Sequence, residues 1–326
     1  MNLVYYFIQQ IVNAVSAGSL YAVMAVGLAM VFGILRLINF AYGDQMMVAA
    51  YLAVFGLGAG LPLPVALLLM VVGSIVLGLM MERVAYRPLR GAPDVALLLS
   101  SFAVGQILQN STLLATRLAG LPIQMTFAAP DILSGVLTFG PITVAKLNIV
   151  SLVAGLVILL LLTIFVTRTD LGLAMRASAE DLTAAQLVGI NLNRVIATAF
   201  AISSALAAVA GLLYAAQAGQ INPFMGFTPV IKAFIAAVIG GFGSLPGAVL
   251  GGYLLGGLEV LLTAIPGIGD ILPPGMAPPA VQQFLQTYLP GSLSSWRDAF
   301  VFIVLIAVLI FRPNGILGGP QREEMR

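Results

Sequence analysis

Apolar residues run with few interruptions through eight stretches of this chain, at about 5–32, 38–58, 61–81, 95–115, 147–167, 195–216, 229–264 and 295–311. Most approach or exceed the roughly 20 residues an α-helix needs to cross a bilayer's hydrocarbon core. Leu147 to Thr167 is the cleanest of them and carries no charge. The pattern predicts an all-α polytopic membrane protein, a single transmembrane domain spanning 1–326. The N-terminus lacks a basic n-region, and its apolar run outlasts a short h-region, so the first segment reads as a retained helix and not a cleaved signal.

Two stretches break the apolar pattern from within. One is Gly33 to Asp44, where Arg36, Asn39 and Asp44 interrupt apolar helices. The other is Gly240-Gly241-Phe242-Gly243-Ser244-Leu245-Pro246-Gly247, whose glycines and proline disfavour continuous helix and predict two half-helices meeting there. Each break is followed by small-residue helix, Val48 to Ala53 in one case and Gly251 to Gly257 in the other. Interrupted segments in corresponding halves point to a transporter's substrate site, which makes Asn39, Phe40, Gly43, Asp44, Gly240, Gly241, Gly243, Ser244 and Pro246 candidate path residues.

Charge supplies the orientation. Nine of the fourteen Lys/Arg residues fall in three places: Arg83, Arg87 and Arg90; Arg168, Arg176 and Arg194; and Arg312, Arg322 and Arg326. The positive-inside rule makes these regions cytoplasmic. Residues 217–294 then begin and end outside, so 229–264 cannot be one crossing. The side of the N-terminus depends on whether the first break lies at mid-membrane or at the cytoplasmic edge, and charge counting leaves both open. Regions 116–146 and 265–294 read as long external segments. Within the latter, Val281, Phe284, Leu285 and Tyr288 share one face of a short interfacial helix.

Composition confirms lipid as the solvent, with 60% hydrophobic and 8% charged residues among 326. The chain has no Cys and no His, which excludes disulfides, Cys/His zinc sites, Ser-His-Asp triads and thiolate nucleophiles. Neither lysine, Lys146 or Lys232, precedes Ser or Thr, so no Walker A loop exists. Any ATP-Mg driving transport must bind another chain. The basic pI of about 9.0 comes from loop residues and points to topology, not to nucleic acid.

The loop 168–194 holds a further element. Ser178 with Asp181 reads as an N-cap and N3 pair, and Gly189 as a C′ stop, which predicts a short helix over 179–188. Its narrow, Ala-rich surface fits a groove on another protein, or a surface connector held by its own cap.

The order Ala179-Glu180-Asp181, Ala184-Ala185, Gly189-Ile190 resembles the coupling-helix loop of ABC importer permeases. Ile38-Asn39-Phe40-Ala41-Tyr42-Gly43-Asp44 resembles the Asn-Phe-Ala-x-Gly stretch of the permeases of high-affinity branched-chain amino acid importers. Val238 to Ala248, and Phe311-Arg312-Pro313-Asn314-Gly315-Ile316-Leu317-Gly318, resemble two further segments of that family. The resemblance implies an ABC importer permease fold in a bacterial inner membrane. It also implies a five-part importer: two related permeases, two cytoplasmic ATPases and a periplasmic binding protein for leucine, isoleucine or valine. Arg176, Ser178, Ala179, Glu180, Asp181, Ala184, Ala185, Gly189 and Ile190 then become the ATPase-coupling residues. Relatives of the family carry urea, short amides or small organic acids, and the pore motifs discriminate against none of these.

Asp44 and Glu259 lie in or beside apolar segments, where an ionised group needs a partner or water. For Asp44 the alternatives are a substrate-ammonium or proton site, a pair with Arg36, or capping of the following helix, and capping is expected. Glu259 has no partner identifiable from the sequence. Two competing functions follow. One is an ion-coupled secondary transporter using Asp44 or Glu259. The other is an intramembrane aspartyl protease, because Gly267-Ile268-Gly269-Asp270 matches a Gly-x-Gly-Asp motif, although it is expected in an external loop between prolines.

Overall fold

The computed structural model describes residues 3–127, 129–139, 142–271 and 296–318. The apolar stretches become helices: α1 (Leu3–Leu35), α2 (Ala41–Gly58), α3 (Leu63–Met81), α4 (Asp94–Leu118), α5 (Lys146–Arg168), α8 (Leu192–Ala218), α9 (Phe227–Gly240), α10 (Leu245–Ile271) and α11 (Arg297–Phe311). Six of them, α1, α3, α4, α5, α8 and α10, are long and apolar enough to cross a bilayer. The bundle is all-α and polytopic. Two short elements, α6 (Asp170–Glu180) and α7 (Leu182–Leu187), fill the loop between α5 and α8. The only sheets among the described residues are two antiparallel ribbons. In one, β1 (Met125–Thr126) pairs with β4 (Gln220–Ile221), and in the other β2 (Val136–Phe139) pairs with β3 (Ile142–Ala145).

The core forms around α1. Its 33 residues span about 50 Å at 1.5 Å per residue, and α10, α8, α5 and α9 surround it. Lipid gives helices no hydrophobic reason to associate, so close packing of small residues must hold them. A Cβ added at Gly252 would lie 2.4 Å from Ala22 Cα, and one at Gly256 would lie 2.3 Å from Gly18 N. The small-residue run Gly251 to Gly257 is therefore the seam that seats α10 on α1.

The stretch 229–264 divides at residues 241–244 into α9 and α10. Only the first has half-helix length, at 14 residues, because α10 continues for 27. Gly240 and Gly247 make the hairpin tight: a Cβ on Gly240 would meet Gly247 O at 1.9 Å. The helical run of α10 also takes in Gly267 to Asp270, which were expected in a loop. The expected interfacial helix at 281–288, and the basic residues Arg322 and Arg326, lie outside the described residues.

One end of the bundle collects Arg83, Arg87, Arg90, Arg168, Arg176, Arg194 and Arg312. Arg90 reaches Asn193 there at 2.6 Å and Glu82 beside it. The tail folds back onto the same end, where Ile316 N donates to Ile239 O and Leu317 N to Gly240 O. Tyr6 OH donates to Ala264 O at 2.6 Å, which places the start of α1 beside the far part of α10. Arg36 follows α1 with φ +53, and the chain reverses through residues 36–40 before α2 begins.

Candidate substrate path and coupling surface

The first break is built from side chains that fix a short non-helical link. Asn39 is buried, and its Oδ1 accepts from Tyr86 OH at 2.8 Å. Gly43 lets α2 touch the turn before α9, since a Cβ there would lie 2.1 Å from Gly226 O. Asp44 neither caps α2 nor pairs with Arg36. It stands in the first turn of a helix with no side-chain cap. Its Oδ1 accepts from Gln109 Nε2 of α4 at 2.8 Å. Gln109 Oε1 in turn faces the amide of Gln106 at 3.4 Å.

The second break sits at the arginine-rich end. Gly241 has φ +116, and a Cβ on it would meet Gly318 N at 2.4 Å, so it is a seat for the tail. Ser244 Oγ accepts from Gly247 N at 3.1 Å, as an N-cap of α10 would. Gly243 and Pro246 are exposed. The two breaks do meet, through rings. Phe40 of the first stacks on Phe102 of α4 with centroids 4.8 Å apart, and lies 5.9 Å from Phe234 of α9. Phe234 lies 5.3 Å from Phe242 of the second break, whose ring is 4.0 Å from Phe32. These five rings form a continuous ladder of partly exposed aromatics, and none except Phe40 stood out in the sequence.

The loop between α5 and α8 is two helices with a kink. The expected single helix over 179–188 shortens to 182–187, and its cap is Asp181, not Ser178. Asp181 Oδ1 accepts from Thr183 N at 2.8 Å and Ala184 N at 2.9 Å. Ser178 instead belongs to α6, buried, with its hydroxyl unpartnered among the described residues. Gly189 takes φ +86, and Ile190 N and Gly189 N close a Schellman pair on Ala185 O and Gln186 O. Ala185 is buried, while Glu180 and Ala184 are exposed. The tip presents Leu187 and Val188 at 84% and 78% exposure. Arg176 and Ala179 line a small pocket shared with Gly33 and Gly243, so α6 touches both breaks' arginine-rich side.

Glu259 has its partners. Its Oε1 receives Lys232 Nζ at 2.5 Å and its Oε2 receives Tyr21 OH at 2.5 Å. Asp298 approaches the same ammonium at 3.4 Å. The lysine lies 27 residues away, on α9 across the break from α10, and nothing local in the sequence pairs the two.

A many-pass helix bundle with interrupted helices and a capped helical tip at its basic end has the build of a membrane transport subunit. The comparisons make the class specific. The branched-chain amino acid transport system / permease component family matches residues 10–309, and this chain belongs to it. It is 38% identical to the high-affinity branched-chain amino acid transport system permease protein BraD of Pseudomonas aeruginosa, over 99% of each chain. It is 37% identical to the corresponding protein LivH of Escherichia coli over 98% of each. It is also 26% identical to the autoinducer 2 import system permease protein LsrC of Salmonella paratyphi B, over 94% of this chain and 79% of that one. No solved structure matches.

Proposed function

We propose that this chain is one translocating subunit of an ATP-driven importer in a bacterial inner membrane, and that it carries branched-chain amino acids inward. The observation that carries the reading is full-length identity to two permeases named for that transport. Two cytoplasmic ATPases supply the energy, a periplasmic binding protein supplies the substrate, and a second related permease completes the pore. Positive-inside placement puts the arginine-rich end in the cytoplasm. The N-terminus then lies outside, α9 enters, α10 returns, and α11 brings the tail back in.

In this arrangement α7 hangs in the cytoplasm with Leu187 and Val188 bare, an apolar tip suited to a groove on an ATPase. Asp181 and Gly189 define its two ends. Asp181→Ala removes two hydrogen bonds from the cap and costs about 0.5–2 kcal/mol of local stability. Gly189→Val forces a β-branched residue into a left-handed conformation that costs roughly 1–2 kcal/mol. Both variants should insert normally, while co-purification of the ATPases and substrate-stimulated ATP hydrolysis fall together. Full ATPase binding and stimulation in both would reduce the loop to a connector.

A further inference from the structure

Among the described residues, Asp44 and Glu259 are the two carboxylates buried between helices away from the arginine-rich end, and they are served very differently. Glu259 sits between a lysine and a tyrosine hydroxyl. Asp44 has a single hydrogen-bond partner among the described residues, the neutral amide of Gln109. A buried carboxylate without a counter-charge is costly in a membrane interior, and a cationic ligand would supply the missing partner.

The surroundings of Asp44 connect it to an exposed face. Its Oδ2 packs against Gly105, where a Cβ would come within 2.4 Å, so glycine is what lets the carboxylate stand directly against α4. Gln109 hands its Oε1 to Gln106, which stands on the exposed side of α4. One turn away on the same stripe is Phe102, 42% exposed and stacked on Phe40. Carboxylate and amides are thus linked by contacts to that exposed side, with the aromatic shelf one turn along it.

We propose that Asp44 binds the α-ammonium of the transported amino acid, that the Gln106 amide meets its polar head, and that Phe40 and Phe102 hold its aliphatic side chain. Gln109 is a positioning residue that fixes the carboxylate. The inference rests on the transport reading above and deepens it, because it makes the ammonium a requirement of the permease itself. Neutral amides and simple acids would lack the group that Asp44 recognises. A metal ion is a poorer occupant, since no cluster of three ligating side chains exists among the described residues.

The chain contains no cysteine, so Asn110→Cys, one turn beyond Gln106, gives a unique thiol for this subunit. In vesicles holding the assembled transporter without binding protein, labelling of that thiol by a small charged reagent would be timed with four additives: leucine, 3-methylbutylamine, 4-methylpentanoate and sodium ion. Leucine and the amine should slow labelling several-fold, while the acid and sodium should not. Asp44→Asn should abolish the protection. Equal protection by the acid, protection by sodium alone, no protection by leucine, or protection that survives Asp44→Asn would each overturn the proposal. The analogue arm needs no variant at Asp44, so a misfolded Asp44→Asn chain leaves it intact. Failure of the unmodified transporter to take up leucine would instead contradict the transport reading.

Discussion

Helices α4 and α5 lie equally open to the outside of this chain, yet they are made of different material. Each buries 22% of its membrane-spanning window, but the mean hydropathy of that window is 1.2 for α4 and 3.1 for α5, with α3 at 2.6. The outward side of α5 carries Val153, Leu156, Val157, Leu160, Leu161 and Ile164, and its exposed Thr163 and Thr167 turn their hydroxyls back onto helix carbonyls, to Leu159 O and Thr163 O. On α4 an apolar stripe of Leu99, Ile107, Leu114 and Leu118 adjoins a second stripe on which Phe102, Gln106 and Asn110 follow one another by helical turns. Within α4 the amide nitrogens find acceptors, Asn110 Nδ2 on Gln106 O at 2.8 Å and Gln106 Nε2 on Gln109 Oε1 at 3.4 Å, but the amide oxygens of Gln106 and Asn110 accept from no donor among the described residues, and no lipid tail supplies one. Exposure on α3 and α5 therefore suits lipid, and exposure on the amide stripe of α4 suits a polar neighbour, which under the proposed function is water, substrate or a second permease. Burial alone does not tell a membrane protein's two solvents apart; the chemistry of what is exposed does.

The interior cluster sets the upper end of the scale. Polar groups enclosed among α1, α9, α10 and α11 should behave as structure and not as path. Lys232→Met withdraws the ammonium from between Glu259 and Asp298, and breaking a buried pair in this way costs about 3–5 kcal/mol. Thermal stability of the purified complex should fall steeply, and Lys232→Met with Glu259→Met should recover much of it. A single variant that leaves stability intact while abolishing uptake would move this cluster into the path and blur the distinction.

A smaller effect compares the two open faces directly. Leu160→Asp puts a charge against lipid near the centre of α5, at a cost of at least about 2.5–3.5 kcal/mol for a central acidic residue. Asn110→Asp puts the same charge on the α4 stripe and should cost far less. The yield of inserted, assembled transporter measures both, and equal losses would mean that α4 also faces lipid.

The sequence made the spans readable because lipid imposes length and apolarity on every crossing helix. The break at 241–244 was equally readable, since glycine and proline act locally. The roles of its residues were not. Gly240 and Gly241 look like path glycines until the tail and α10 are seen packed on them, and those contacts are 7 and 77 residues distant. The sequence pattern made Ser178 the cap of one helix over 179–188 with Asp181 at N3, and the kink after Glu180, which makes Asp181 the cap of 182–187 instead, left no local sign. Gln106 and Gln109 did carry a legible sign, two amides about one turn apart inside an apolar segment. Glu259 carried none, because its lysine partner belongs to another helix.

The central claim is that the α4 stripe borders the substrate path while the α5 face borders lipid. Single cysteines at Gln106, Asn110, Leu156 and Leu160 in this cysteine-free chain test it most directly, by reaction with a membrane-impermeant thiol reagent in vesicles containing the assembled transporter. Gln106→Cys and Asn110→Cys should react, at rates that change when ATP and the loaded binding protein are added, and Leu156→Cys and Leu160→Cys should stay unlabelled. Labelling at Leu160→Cys as fast as at Gln106→Cys, or a silent Gln106→Cys in a transporter that still carries leucine, would contradict it.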